Sequence, residues 1–201
     1  MNVLKFGGTS VANAQNINLV LDIVNETSKN DQLVVVVSAF SGVTDLLVLA
    51  SAHAAAKDKN YKEIVNQIEK KHKDAIEQLI SLTEQSELID TINSNINHLK
   101  TLLDGCYLLG ELSNRTSDTI LSFGELLSSQ IIAKALQQKD SKAGYKDSRE
   151  VIKTNNHFGK AVVNFDITNA LIADFFKTSP NSVTVMPGFI ASSEDGNTTT
   201  L

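Results

Sequence analysis

Residues 33–44 read Leu-Val-Val-Val-Val-Ser-Ala-Phe-Ser-Gly-Val-Thr. An unbroken apolar run, mostly valine, passes directly into a small-residue turn. A run without polar alternation fits a strand buried on both faces, as in a parallel sheet. The turn Ser38-Ala39-Phe40-Ser41-Gly42 closes it, and a helix is predicted to start near Val43 or Thr44, with Thr44 as its N-cap. The same grammar stands upstream. Val3 to Phe6 reads as a short strand ending at Gly7-Gly8. Val11, Ile17, Val20, Leu21, Ile23 and Val24 then follow the period of an amphipathic helix, with Thr9 or Ser10 as its expected cap. Two strand–turn–helix units in succession predict an α/β fold with a mostly parallel sheet.

Working outward, residues 59–111 lack strand signals and read as a helical insertion. One helix carries Ile64, Ile68, Ile76, Leu79 and Ile80. A second carries Ile89, Ile92, Ile96, Leu99, Leu102, Leu103 and Cys106, at steps of three and four. Ser81 to Ser86 is the expected turn between them. A third helix is predicted from about Thr116 to Gln138. Strands are predicted at Ala143 to Tyr145, Glu150 to Ile152 and Val183 to Met186, with a helix over Phe165 to Lys177. Gly188 to Leu201 reads as a hairpin, turning at Ser193-Glu194-Asp195-Gly196-Asn197 and returning through the β-branched Thr198, Thr199 and Thr200. The last residues lie inside that strand. The 201 residues are therefore expected to be part of a longer domain.

Composition narrows the classes. Hydrophobic residues make up 42% and charged residues 20%, ordinary for a globular protein. The length suits one domain or one lobe of a larger enzyme. Aromatics are scarce at 5%, so Val, Ile, Leu and Ala must fill the core. A net charge of −5 with 18 scattered Lys and Arg argues against a nucleic-acid partner. Lys70-Lys71-His72-Lys73 lies among Glu63, Glu69, Asp74 and Glu77 and reads as a solvated helix face. Cys106 is alone and flanked by leucines, which suggests a buried, inert thiol. No apolar run reaches the ~18 residues of a membrane span, and no signal peptide is visible. No membrane partner and a cytoplasmic location are the default expectations. His53, His72, His98 and His157 show no metal-ligand spacing, so no metal site is expected on side chains.

Three constellations can carry chemistry. In Lys5-Phe6-Gly7-Gly8-Thr9-Ser10 a strand delivers a lysine, glycines let a ligand approach the backbone, and a helix is expected next. That arrangement suits an anion such as phosphate, although the lysine precedes the glycines and the spacing is not that of a P-loop. A tight turn beside a surface lysine is the alternative. Ser38 to Thr44 sits where ligands bind in open parallel sheets, outside the carboxyl ends of strands. Its hydroxyls can bond a polar substrate or simply cap a helix. In Ser122-Phe123-Gly124-Glu125, glycine costs a helix roughly 1 kcal/mol relative to alanine and is tolerable where something must approach closely. Glu125, amid Ile120, Leu121, Leu126 and Leu127, needs a cationic partner. That partner is either a protein Lys or Arg or a ligand ammonium.

Together these segments resemble the aspartate kinases of the amino-acid kinase superfamily. Lys-Phe-Gly-Gly-Thr-Ser at 5–10 resembles that family's N-terminal signature, and Val-Ser-Ala-Phe-Ser-Gly-Val-Thr at 37–44 its second motif. Gly124-Glu125, Asp147-Ser148-Arg149, Pro187-Gly188-Phe189-Ile190 and Thr198-Thr199-Thr200-Leu201 follow in the family's order. Val11-Ala12-Asn13-Ala14 and Ala191 lean toward the bifunctional aspartate kinase–homoserine dehydrogenases. The resemblance implies a three-layer αβα sandwich, of which residues 1–201 form the N-terminal, aspartate-binding part. It implies transfer of the ATP γ-phosphoryl group to the side-chain carboxylate of L-aspartate. The product, 4-phospho-L-aspartate, leads toward lysine, threonine and methionine. ATP with phosphate-bridging Mg²⁺ is implied as cofactor, and a homo-oligomer as the parent state.

The resemblance also assigns roles. Lys5 neutralises the transferring phosphoryl group, and Phe6, Gly7, Gly8, Thr9 and Ser10 accompany it at the ATP phosphates. Ser38, Thr44, Glu125 and Phe189 bind the substrate, Glu125 through its ammonium. The family's Gly-Arg-Gly-Gly-Ser-Asp stretch, its nucleotide-binding half and its ACT domains are not in these residues, so the chain alone is expected to be inactive. Another amino-acid kinase, or a non-catalytic amino-acid-binding module, are the competing readings.

Overall fold

The computed structural model describes residues 1–29, 32–139 and 142–201. A four-stranded sheet is entirely parallel. It contains β1 (Asn2–Phe6), β2 (Leu33–Val37), β3 (Ala143–Tyr145) and β5 (Val183–Pro187), in the order β1-β2-β5-β3. A smaller sheet holds β4 (Lys153–Thr154), β6 (Ile190–Ser193) and β7 (Thr198–Thr200). There β4 runs parallel to β6, and β6 and β7 form the expected antiparallel hairpin.

The apolar run of β2 is buried because it is central and has helices on both sides. Leu33, Val35 and Val37 join Ala143, Val183 and Val185 in the larger core. This face meets α1 (Ala14–Thr27) and α5 (Asn114–Lys139). Outside them lie α2 (Val43–Ala55), α3 (Tyr61–Leu79) and α4 (Leu82–Leu109). Val34, Val36 and Met186 point to the other face, against Leu171, Ile172, Phe175 and Phe176 of α7 (Phe165–Thr178). The result is the expected αβα sandwich. Each fully buried Val, Leu or Ile stabilises it by about 1.5–3 kcal/mol. The helix α5 is buried almost all round from Asp118 to Leu136, and it places the functional site.

Four local expectations are corrected. The glycines do not open straight into a helix. Ser10 and Val11 both donate to the Gly7 carbonyl, forming a turn, and α1 begins only at Ala14, six residues after Gly8. Its cap is Asn13, whose side chain accepts from the Asn16 amide at 2.9 Å, not Thr9 or Ser10. The N-cap of α2 is Gly42 at φ 78°, not Thr44, which lies inside the first turn. A positive φ is cheap only for glycine. The turn between α3 and α4 is far shorter than Ser81–Ser86, because α4 starts at Leu82. The strand expected at Glu150–Ile152 is instead the short helix α6 (Ser148–Val151). Asp147 caps it by accepting from the Arg149 amide at 3.0 Å, and the strand follows at β4.

Candidate active site

The carboxyl ends of β1, β2 and β5 stand side by side and release three loops. These are Gly7–Ser10, Ser38–Gly42 and Gly188–Phe189. Between the first two loops and α5 lies a cleft of about 410 Å³. Gly8, Thr9, Ser38, Ser41, Thr44 and Glu125 are among its walls.

Glu125 is the electrostatic centre of the cleft. It is 5% exposed. Its Oε1 accepts from the Ala39 amide at 3.3 Å, while Oε2 has no partner among the described residues. Of the two partners left open by the sequence, the protein cation is absent among the described residues. Burial pushes its carboxyl up to about 7, only partly offset by the Ala39 amide. Beyond the Ala39 amide, a cation brought beside Glu125 is what would favour its ionised form.

Gly124 explains how that carboxylate reaches the loop. A Cβ there would lie 2.9 Å from Ala39 Cβ, 3.4 Å from Leu47 Cδ1 and 3.9 Å from Thr44 Oγ1. The missing side chain is what lets α5 lie flat against residues 39–44. Ser128, one turn on, donates to the Ser38 carbonyl at 2.8 Å. The loop is also held from its other side. Lys71 donates to the Ser41 carbonyl at 2.6 Å, and the His72 ring stacks on Phe40 at 4.9 Å. His72 is wholly buried, which corrects the reading of residues 70–73 as a uniformly solvated face. Its Nδ1 pairs with the Ile68 carbonyl at 2.7 Å, and burial lowers its pKa to about 4.

The remaining site residues share the sheet end but not the cleft wall. Lys5 is exposed at the end of β1, and no described residue pairs with it. Phe6 and Ser10, with Thr9 shared from the cleft wall, line a second groove of about 350 Å³ against Leu19, Val20 and Ile23 of α1. Gly7 begins the turn between the two. Phe189, with φ 61° and 41% exposed, follows Gly188, whose amide donates to the Val37 carbonyl at 2.8 Å. Ser148 supports that turn by donating to the Pro187 carbonyl.

Sequence reasoning missed the supports: Asn13, His72, Asp118, Ser128 and Ser148. Asp118 carried a readable signal, a carboxylate seven residues before Glu125 on one helix face, and Ser148 lay in the family-like Asp147-Ser148-Arg149 stretch without its support role being read. Asp118 is 1% exposed, and its oxygens accept from Gly159 N, Thr200 N and Thr200 Oγ1.

A parallel sheet with helices on both faces and a polar cleft at its carboxyl edge is the arrangement in which α/β proteins bind small molecules. A family model described as the amino acid kinase family matches residues 1–201, and the chain belongs to that family. Within it, the similarity is to aspartokinases. The chain is 29% identical over 201 residues to bifunctional aspartokinase/homoserine dehydrogenase 1 of Zea mays, covering 100% of this chain and 22% of that protein. It is 31% identical over 206 residues to lysine-sensitive aspartokinase 3 of Escherichia coli, covering 99% of this chain and 42% of that one. The crystal structure of E. coli aspartokinase III in complex with aspartate and ADP superposes with a TM-score of 0.88 at 29% identity. That likeness covers all of this chain and 43% of the other. The chain thus spans between about a fifth and two fifths of these relatives.

Proposed function

We propose that residues 1–201 are the aspartate-binding part of an aspartate kinase. The whole protein would transfer the ATP γ-phosphoryl group to the side-chain carboxylate of L-aspartate. One observation carries this reading: a buried carboxylate oxygen without a partner, on Glu125, in a hydroxyl-lined cleft at the carboxyl ends of parallel strands. A buried anion of this kind favours a ligand that brings a cation. An amino-acid ammonium does so, with Ser38 and Thr44 beside it for the polar remainder. Phe189, on the adjoining turn, lines the same substrate.

A carboxylate acceptor is already nucleophilic, so no general base is required. The chain's task is positioning and charge stabilisation. Lys5, exposed and unpaired among the described residues, stands near the carboxyl end of β1, where the transferring phosphoryl group would pass. Phe6, Gly7, Gly8, Thr9 and Ser10 shape the backbone there. The amides of Gly8 and Thr9 donate to no described group. Backbone N–H groups so arranged suit a phosphate. Among the described residues no cluster of three or more His, Cys, Asp or Glu could hold a metal. Mg²⁺ brought in with the nucleotide would screen the charge of its phosphates.

Calorimetry with the 201-residue chain tests the acceptor half. L-aspartate is expected to bind, succinate, which lacks the ammonium, to bind at least about tenfold more weakly, and Glu125→Gln to abolish the difference. Equal binding of aspartate and succinate by the unmodified chain would overturn the reading. With MgATP and hydroxylamine the chain alone is expected to form no aspartyl hydroxamate.

A further inference from the structure

We infer that Asp118 is a positioning residue for the substrate cleft, acting through the β6–β7 hairpin. The inference rests on the cleft reading given above. Asp118 and Glu125 are seven residues apart on α5, two turns along one face and roughly 10 Å apart along the axis. Glu125 faces the cleft, whereas Asp118 faces the hairpin. Its Oδ2 accepts from Gly159 N at 2.9 Å and Thr200 N at 3.1 Å, and its Oδ1 accepts from Thr200 Oγ1 at 2.8 Å.

The link to the cleft is short. Thr200 pairs with Ile190 across the hairpin, and Leu201 N donates to the Phe189 carbonyl at 2.9 Å. Phe189 precedes β6 directly. It is a non-glycine residue at φ 61°, a conformation that persists only where its surroundings hold it. The same carboxylate ties down Gly159, in the loop between β4 and α7. Ala161 N of that loop donates to the Thr200 carbonyl at 3.2 Å. One acceptor-only group thus registers the loop, β7 and the Phe189 turn against the helix that bears the ammonium acceptor. The Asp118 carboxylate spans three segments distant in sequence.

The test is aspartate affinity in Asp118→Asn. Asparagine keeps the shape but removes the charge from these bonds, and its NH₂ can meet Thr200 Oγ1 only if that hydroxyl turns from donor to acceptor. The control is Ile92→Ala, a truncation in α4. That part of α4 packs near the C-terminal half of α5, where Asn95 bonds Gln130 at 3.0 Å, away from the cleft. At a temperature where all variants are folded by circular dichroism, Asp118→Asn is expected to weaken aspartate binding about tenfold or more. Ile92→Ala should stay within about threefold of the unmodified chain. Amide exchange at Ile190 and Thr200 should quicken in Asp118→Asn, while exchange at Val35 does not.

Affinity within threefold of the unmodified chain in folded Asp118→Asn overturns the inference, and so does equal weakening in Ile92→Ala. Should Asp118→Asn fail to fold, Thr200→Val, which loses only the hydroxyl bond, must weaken aspartate in the same direction, and unchanged binding refutes the role. No aspartate binding by the unmodified chain overturns the cleft reading and this inference together.

Discussion

Two buried titratable side chains set the pH behaviour of this chain in opposite senses. Glu125 has a folded pKa raised from 4.5 to about 7. The folded state then holds its proton more tightly than the unfolded state, so this contribution is fully present below pH 4.5 and is lost as pH rises through 7. The loss is about 3 kcal/mol. His72 has a folded pKa lowered from 6.5 to about 4. Here the unfolded state takes the proton first, so stability falls by about 3 kcal/mol as pH drops from 6.5 toward 4. Between pH 4.5 and 6.5 the two cancel. Chemical denaturation across pH should therefore show Glu125→Gln no more stable than the unmodified chain at pH 4.5 and about 3 kcal/mol more stable above pH 7. A difference independent of pH would sink this account. Aspartate binding at pH 6 should also release close to one proton, measured by calorimetry in buffers of differing ionisation enthalpy. At the neighbouring position, Gly124→Ala gains about 1 kcal/mol of helix propensity. It loses about 1–3 kcal/mol to the clash with Ala39, and weaker aspartate binding should accompany the lower melting temperature.

At the level of elements, Asn13→Ala is expected to cost about 1 kcal/mol by uncapping α1, read as a lower melting temperature with aspartate affinity unchanged. How much of these elements could be read beforehand depended on how local the deciding force was. The run Leu33–Val37 and the stripes of α3 and α4 were legible because burial imprints its period on the residues themselves. Glu125 was legible as a carboxylate in an apolar helix. The cap of α1 was not, because Thr9, Ser10 and Asn13 are all good caps and the turn closed on the Gly7 carbonyl decides among them. The short helix at Ser148–Val151 hid behind Val151 and Ile152, which favour strands. A single cap at Asp147, together with the Ser148 bond to Pro187, overrides that preference. His72 was misplaced because its lysine neighbours are solvated. One residue in a helical turn can face inward while those beside it do not.

At the scale of the molecule, helices α2 to α4 form an outer layer that, among the described residues, meets the cleft loop and walls through Lys71, the His72 ring and the start of α2. Its work is burial. Leu99→Ala, fully enclosed in α4, should cost about 2–5 kcal/mol, with aspartate affinity retained in the folded fraction. A loss of affinity at low temperature in that variant would contradict the division between support layer and site. The sheet order carries a further consequence, for synthesis. Leu33 of β2 takes its second partner, Val183 of β5, only about 150 residues later. At ribosomal speeds of about 5–20 residues per second, the edge Leu-Val-Val-Val-Val waits roughly 7–30 s without that neighbour. An uncharged valine-rich edge is a template for pairing with other chains. The nascent protein is therefore most vulnerable to aggregation after α1 has formed and before β5 emerges, an interval in which a holding chaperone has an obvious target.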